Sequence, residues 1–212
     1  MSKKEIEQEL QTDPFFEYLG KIIDYFKENK AAAQWSAIGI IGVILLSIVI
    51  SNYRASSIRK DLIAYEQATT SALVQEYLDG HKSGAYYPHA LYKKANYAFE
   101  DGKYTDALEA YKKITDDYPK NLLAAQAYIG IGYANIALGN YEDAAKAFSY
   151  FIEKYVGSPF ISDARLNLTR CMMKLGKYEQ ALSIVTAFIE ENPNSVLMPE
   201  AEKLLPEINR NL

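Results

Sequence analysis

At 212 residues, the chain has room for one soluble domain of ordinary size and an extension. Its 23 basic and 27 acidic residues give a net charge of −4, so no excess of basic charge indicates nucleic-acid binding. The single cysteine, Cys171, excludes an internal disulfide framework. Together with two histidines it supplies too few ligands for an ordinary zinc site made of His and Cys.

Residues 1–30 are predicted to form a polar tail and an amphipathic helix. Asp13 followed by Pro14 is typical of a helix start, with a capping carboxylate before a proline at the first helical position. The apolar residues that then recur at helical spacing are Phe15, Leu19, Ile22, Ile23 and Phe26. We expect this helix either to lie on a membrane surface or a partner, or to extend the helix that follows it. The sequence leaves these alternatives open.

An uncharged stretch, residues 31–53, is predicted to be one transmembrane helix. At about 1.5 Å per residue, these 23 residues make about 34 Å of helix, enough to cross a hydrocarbon core of about 30 Å. Trp35 and Tyr53 lie near its two ends, where interfacial aromatic residues are common. A cleaved signal peptide is disfavoured because the preceding region is long and acidic. A buried helix of a soluble domain is disfavoured because a small helical array needs no uncharged helix of this length.

The charges that flank the span do not orient it. They are Lys21, Lys27 and Lys30 before the span and Arg54, Arg59 and Lys60 after it. Since the side with more basic residues normally stays in the cytoplasm, a tie places the larger part of the chain on neither side.

Residues 54–84 are predicted to form a neck that caps the repeats described next. The apolar stripe of this segment consists of Ile58, Leu62, Tyr65, Thr69 and Ala72. It predicts one unbroken helix over 55–79 that packs on the first repeat, with a self-associating coiled coil as the alternative. The turn residues of 79–84 then end the helix.

Residues 85–195 contain three copies of one pattern, in which Gly102, Gly139 and Gly176 are each 37 residues apart. Each unit (88–121, 125–158 and 162–195) reads as a helix, a turn at the glycine and a second helix. Ala107, Ala144 and Ala181 keep the same step and are predicted to lie where the two helices of a pair cross. Residues 196–212, in which Ala201 keeps the step, are predicted to form a C-terminal capping helix.

This pattern resembles the tetratricopeptide repeat, which implies an all-α solenoid that binds proteins. The match includes a small residue in each first helix (Ala95, Gly132 and Thr169), the turn glycine, the following tyrosine and the crossing alanine. The period of 37 residues is longer than the usual 34, and the extra residues lie in the loops between units. The loop that begins at Tyr118-Pro119 resembles loops of tetratricopeptide proteins of the bacterial periplasm.

The resemblance implies a concave groove lined by the first helix of each unit. In this register the lining consists of His89, Tyr92, Asn96, Phe99, Gln126, Ile129, Tyr133, Ile136, Asp163, Leu166, Arg170 and Met173. This mixture of apolar and aromatic side chains with a few polar groups suits an extended or helical peptide. Only Asn96 matches the basic and asparagine clamp that holds a C-terminal carboxylate in chaperone-bound relatives, which excludes that ligand class. Alternatively, the neck helix covers the lining of the first repeat, and the sequence leaves this open.

No chemical motif accompanies the repeats. The sequence contains no glycine-rich phosphate loop, no nucleophile elbow and no histidine–carboxylate pair with supporting spacing. We therefore predict no catalytic residue, cofactor or metal site, and expect a binding protein rather than an enzyme.

The order of an N-terminal helix, one span, a neck and a short repeat array resembles the ancillary subunits of the bacterial Sec translocon. The local matches are 25–30, which run into the span, and 64–68, which follow it. The resemblance implies a cytoplasmic N-terminus, an inner-membrane span and periplasmic repeats that hold chaperones or unfolded clients near the translocon. The alternative is an accessory or assembly subunit of another membrane complex.

Overall fold

The computed structural model describes residues 14–212, apart from the side chains of Pro14 and Phe16, and this range contains ten α-helices and no strand. The helices are α1 (Pro14–Glu28), α2 (Lys30–Gln67), α3 (Ser71–Gly80), α4 (Tyr87–Glu100), α5 (Tyr104–Asp117), α6 (Leu123–Ala137), α7 (Tyr141–Lys154), α8 (Ile161–Lys174), α9 (Tyr178–Glu191) and α10 (Met198–Arg210). The predicted tail, residues 1–13, lies outside the described residues. The chain forms two compact units, 1–57 and 58–212.

In the first unit, α1 is followed by the long apolar part of α2. Only Asn29 separates the two helices, and its backbone N–H and side-chain amide both donate to the carbonyl oxygen of Tyr25, at 2.9 and 3.0 Å. The most apolar 18 residues of α2 have a mean hydropathy of 2.2, and none of them is buried. This helix is therefore long and apolar enough to cross a membrane, and it contains the whole predicted span, 31–53.

The neck is two helices, so the prediction of one unbroken helix over 55–79 is wrong. α2 ends at Gln67 and α3 starts at Ser71, each four residues later than the step of 37 would place it. Thr70 is the N-cap of α3, and its hydroxyl accepts a hydrogen bond from the Leu73 N–H at 3.3 Å. A threonine cap satisfies a backbone donor that the new helix leaves free, so the chain turns here without a glycine.

Side chains of α4 bind the carbonyl groups that the end of α2 leaves free. The Lys93 ammonium donates to the Ala68 carbonyl at 3.0 Å and lies 4.2 Å from the ring centroid of Tyr65. The Tyr97 hydroxyl donates to the Thr69 carbonyl at 2.9 Å. A cation at a helix C-terminus is favourable, so the break is stabilised by the repeat on which the neck packs.

The neck packs on the first repeat, but only Leu62 and Tyr65 of the predicted stripe are half-buried there. Ile58 is 48% exposed, and Thr69 and Ala72 are also exposed. The buried residues of the neck are Asp61, Ala68, Val74, Tyr77 and Leu78. The break changes the helical register, so a stripe drawn through it as one helix follows the wrong face after residue 68.

The remaining helices form antiparallel pairs, α4 with α5, α6 with α7 and α8 with α9, and α10 packs on α9. Each pair turns at a glycine in the left-handed region, with φ of 74° at Gly102, 77° at Gly139 and 71° at Gly176. After the first of these, the Lys103 N–H donates to the Ala98 carbonyl at 2.8 Å, which closes the end of α4. The predicted all-α solenoid is thus confirmed.

Close packing holds each pair together. The crossing alanines Ala107, Ala144 and Ala181 are each 0% exposed. A Cβ added to Gly132 would lie 2.4 Å from the Phe148 ring, which is itself fully buried. The small residues of the repeat are therefore required by the short distances between helices.

Gly139→Ala should destabilise the array by about 1–2 kcal/mol, because alanine in the left-handed region carries that cost. Urea unfolding of the full chain in detergent, followed by far-UV circular dichroism, measures this change. The matched control is Gly157→Ala, since Gly157 has no positive φ and open space around its Cα. Equal stability of the two variants would contradict the assignment of the turn.

Candidate protein-binding site

Most of the predicted groove residues line α4, α6 and α8 as half-buried side chains. Leu166 and Met173 do not, because they are 1% and 8% exposed and belong to a core cluster that includes Ala201 and Ile208 of α10. Assigning them to the groove was wrong. Residues at the same repeat position in α4 and α6 stay half-buried, whereas those of α8 join the core with α10.

On α4, three of the four predicted residues hold their own helix pair together. The Tyr92 ring meets the Tyr111 ring edge-on, with centroids 5.7 Å apart, and the Tyr111 hydroxyl donates to Asn96 Oδ1 at 2.6 Å. Phe99 meets Tyr104 in the same way at 5.1 Å. Burial raises the pKa of both Tyr92 and Tyr111, so these phenols stay neutral.

The neck covers this part of the groove only at its first position, which is His89. The ring of Tyr65, on α2, meets the His89 ring edge-on at 6.0 Å and stacks on Tyr86 at 5.4 Å. Tyr92 and Phe99 pack instead within their own pair. The neck therefore contacts the start of the lining of the first repeat.

On α6, the lining is mainly apolar. Ile129, Tyr133 and Ile136 pack at the edge of the cluster around Phe148, and the Tyr133 ring meets the Phe148 ring edge-on at 5.7 Å. Gln126 is half-buried at the start of the same face, and no side-chain hydrogen bond of its amide occurs among the described residues. This helix presents apolar surface with one free amide.

The polar residues of the lining connect one repeat to the next. The Tyr133 hydroxyl donates to the Asp163 carboxylate, and Asn167 Nδ2 donates to the Tyr133 oxygen at 3.2 Å. In the next step, Arg170 donates to Asn167 Oδ1 at 3.1 Å and pairs with Glu200 of α10. Tyr133 and Arg170 hold the same position in successive units, as do Asp163 and Glu200. The same contact is therefore made twice, between residues 30 apart.

This chain of contacts keeps the Tyr133 phenol protonated. Burial, and then its hydrogen bond to Asp163, raise the pKa of Tyr133, because both disfavour the phenolate. Tyr133, Asp163 and Arg170 thus have internal partners, and a ligand would have to share or displace them.

A buried carboxylate in the neck is a site that the sequence pattern did not indicate. Asp61 is 7% exposed and accepts hydrogen bonds from the Tyr77 hydroxyl at 2.7 Å and the Tyr86 N–H at 3.0 Å. Gly84 leaves room for it, since a Cβ there would lie 2.4 Å from Asp61 Oδ1. Burial and this carboxylate raise the pKa of Tyr77. Asp61 lies four residues before Tyr65 and therefore on the same helix face as a residue of the predicted stripe. This spacing is the sequence signal that could have indicated its burial.

A second concave surface lies on the other side of α6, between α5 and α7. Its cavity has a volume of about 560 Å³ and includes Tyr128, Asn135 and Tyr150 in its lining. The two tyrosine rings are 4.4 Å apart, and burial raises the pKa of Tyr128 to about 12. The repeat pattern predicts only the first-helix face and does not indicate this cavity.

Cys171 is buried in the core of α8 and takes no part in either surface. It is 1% exposed, and burial raises the pKa of its thiol to about 11. Within residues 14–212, no cluster of three or more His, Cys, Asp or Glu side chains could hold a metal ion.

The inter-repeat contact should be measurable as a coupling free energy. Combining Tyr133→Phe with Asp163→Ala should give a double-mutant coupling of about 1 kcal/mol in urea unfolding, because a partly buried hydrogen bond to a carboxylate is lost. The control pair is Asp143→Ala with Lys146→Ala, whose exposed ion pair should show no measurable coupling. Independent effects at Tyr133 and Asp163 would count against a connection between these repeats.

Comparison with known proteins agrees with this architecture. Residues 92–159 match the tetratricopeptide repeat family, and residues 131–202 match the outer membrane lipoprotein family YfiO. No curated protein sequence matches the chain.

Two solved structures share the fold. A tetratricopeptide repeat protein from Parabacteroides merdae is 16% identical with a TM-score of 0.57, over 74% of this chain and 60% of that protein. A Podospora anserina protein with nearly identical TPR-like repeats, described as a kinesin light chain, is 12% identical with a TM-score of 0.54, over 66% of this chain and 84% of that one. This chain thus spans less than two thirds of the Parabacteroides protein. The repeat region is a tetratricopeptide-like solenoid, a fold that generally serves protein–protein interaction.

Proposed function

We propose that this chain is a membrane-anchored scaffold that binds other proteins with its repeat array in the bacterial periplasm. Its proposed role is to assist a membrane complex such as the Sec translocon together with chaperones or unfolded clients. The observation that carries the proposal is the combination in one chain of a tetratricopeptide-like array with a long helix that is exposed over its most apolar 18 residues.

The proposed anchor is residues 31–53 of α2. Water would hydrate an exposed apolar helix of this length at a large cost, whereas lipid covers it and its backbone groups are satisfied within the helix. The proposed topology is a single pass through the inner membrane with residues 1–30 in the cytoplasm and residues 54–212 in the periplasm. The likeness of the layout to the ancillary Sec subunits supports this orientation, since the flanking charges are tied.

The proposed binding face is the first-helix side of the first two repeats. Tyr92, Phe99, Ile129 and Ile136 are half-buried apolar side chains there, and the free amide of Gln126 lies beside them. A face of this composition fits an apolar segment of a partner, helical or extended, oriented by a few hydrogen bonds. The polar border of this face consists of Tyr133, Asp163 and Arg170. Tyr133 binds Asp163 directly, and Asn167 connects Tyr133 to Arg170.

The second candidate function is an accessory or assembly subunit of a different membrane complex. The match of residues 131–202 to an outer membrane lipoprotein family favours it, since this likeness to a membrane-associated family extends over most of the second repeat, the whole third repeat and the start of α10. In this case the array would be a docking arm and the span a further contact with the complex.

A photocrosslinking amino acid placed at Gln126 should capture a translocon subunit or a periplasmic chaperone in living cells, because it lies at the start of the proposed face. The matched control is Lys94, which is also half-buried on a first helix but belongs to a different surface, beside Asp106 and Glu109. Capture of another membrane complex from Gln126 would favour the second function. Equal products from Gln126 and Lys94 would contradict binding at this face.

A further inference from the structure

Four apolar side chains in the loops between helix pairs are strongly exposed. Leu122 is 92% exposed, Val156 77%, Phe160 45% and Val196 93%. Leu122 and Val196 hold the same position in the first and third loops, and the exposed Pro159 holds it in the second. Single exposed apolar residues are ordinary, but the recurrence of Leu122, Pro159 and Val196 at one position of the repeat indicates a shared surface.

These residues share one edge of the array, which we call the loop edge (81–86, 118–122, 155–160 and 192–197). Because the helices of each pair are antiparallel, the loops between pairs lie at the edge opposite the turns at Gly102, Gly139 and Gly176. The tips of the loop edge are Leu122, Val156, Phe160 and Val196.

The chain enters the array at the loop edge. The Asp61 carboxylate binds the Tyr86 N–H at the start of α4, whereas Thr69 is bound by Tyr97 three turns further along α4. Residues 61–69 therefore run beside α4 in the same direction. Ile58, the first residue of this compact unit, comes before Asp61 and so lies at or beyond the start of α4.

A short tether connects this edge to the proposed membrane span. Tyr53 is the last residue of the span, and only four residues, 54–57, separate it from Ile58. Fully extended, the five steps from Tyr53 to Ile58 reach at most about 18 Å. This step rests on the proposed function, since it requires residues 31–53 to lie in a bilayer. If they do, the loop edge stays close to the lipid surface where the chain enters.

We propose that the loop edge rests on the lipid surface, with the four tips inserted between headgroups and acyl chains. The tips are spread over three successive loops, with Val156 and Phe160 on the same one. This spacing suits shallow insertion into a fluid surface better than the packed apolar centre of a protein interface. Phe160 also supplies the aromatic side chain that interfaces favour.

The charges at the loop edge give little selectivity between anionic and zwitterionic lipids. Asp117 pairs with Lys113 at 3.2 Å, and Glu191 pairs with Arg165. Lysines stand two residues before two of the tips, at Lys120 and Lys154, close to the unpaired Glu153. The edge therefore carries mixed charge of both signs, so the contact should form on zwitterionic lipid and change little with salt.

The test uses the full chain in phosphatidylcholine nanodiscs, with one nitroxide label per variant at Leu122→Cys or Val196→Cys. For each label, the measured quantity is the ratio of its collision rate with oxygen to its collision rate with a water-soluble nickel chelate. This ratio should be several-fold higher for labels at the tips than for a label at Asn140→Cys. Asn140 is exposed at the opposite edge. The native Cys171 is 1% exposed, so brief labelling leaves it unmodified, and the parent chain measures the background.

A label at Val43→Cys separates this inference from the function on which it rests. If the label at Val43 is as accessible to the nickel chelate as a label in water, the proposed membrane span is wrong. If Val43 reports hydrocarbon while Leu122 and Val196 are as open to the nickel chelate as Asn140, the span stands and the docking edge is overturned. Protection of the tips in native membranes but not in nanodiscs would also overturn it, because the occupant would then be a protein.

Discussion

The repeat array depends on how closely the two helices of each pair cross. The crossing alanines are fully buried. Just before them, the chain reverses direction between the two helices at a glycine with φ near 75°. A larger residue at the crossing would push the helices apart, and a residue with a Cβ at the turn would be strained. Large side chains also pack onto small ones, within a pair as Phe148 does against Gly132, and between successive pairs as Tyr111 does against Gly130. Every candidate surface of the array is positioned by this packing.

The features that repeat exactly along the chain could be predicted from the sequence, since each helix pair is set by local residue types. Glycine, alanine and aromatic positions spaced 37 apart define turns, crossings and cores without knowledge of distant contacts. The break at 68–70 could not be predicted in this way. It depends on Lys93 and Tyr97, which lie some 25 residues further along the chain and bind the carbonyl groups of the neck.

The candidate groove was predicted less well, for a related reason. A helical register shows which side chains share a face, but not what covers that face. Leu166 and Met173 have the right register and are buried because α10 packs there. Tyr133 and Asp163 also have the right register, yet they contact each other across two repeats. This contact joins positions 30 apart, so a search at the period of 37 cannot reveal it. Asp61 was missed because a lone acid on a neck helix reads as a solvated charge.

These contacts change what the face can offer a partner. Its charged residues are engaged within the array, so selectivity for a strongly charged ligand is not expected, and the apolar part on α4 and α6 is the main part of the proposed binding surface. The buried Asp61 and the cap by Lys93 fix the neck to the first repeat. A partner on this face would therefore bind close to the point where the chain leaves the array toward the proposed span.

The central claim is that the repeats are held by one span on the periplasmic side of the inner membrane. Protease added outside intact spheroplasts measures this most directly, with one epitope tag on residue 1 and another on residue 212. We predict that residues 80–212 are degraded while the N-terminal tag stays protected and sediments with the membrane. A C-terminal tag that survives until the membrane is lysed would contradict the account.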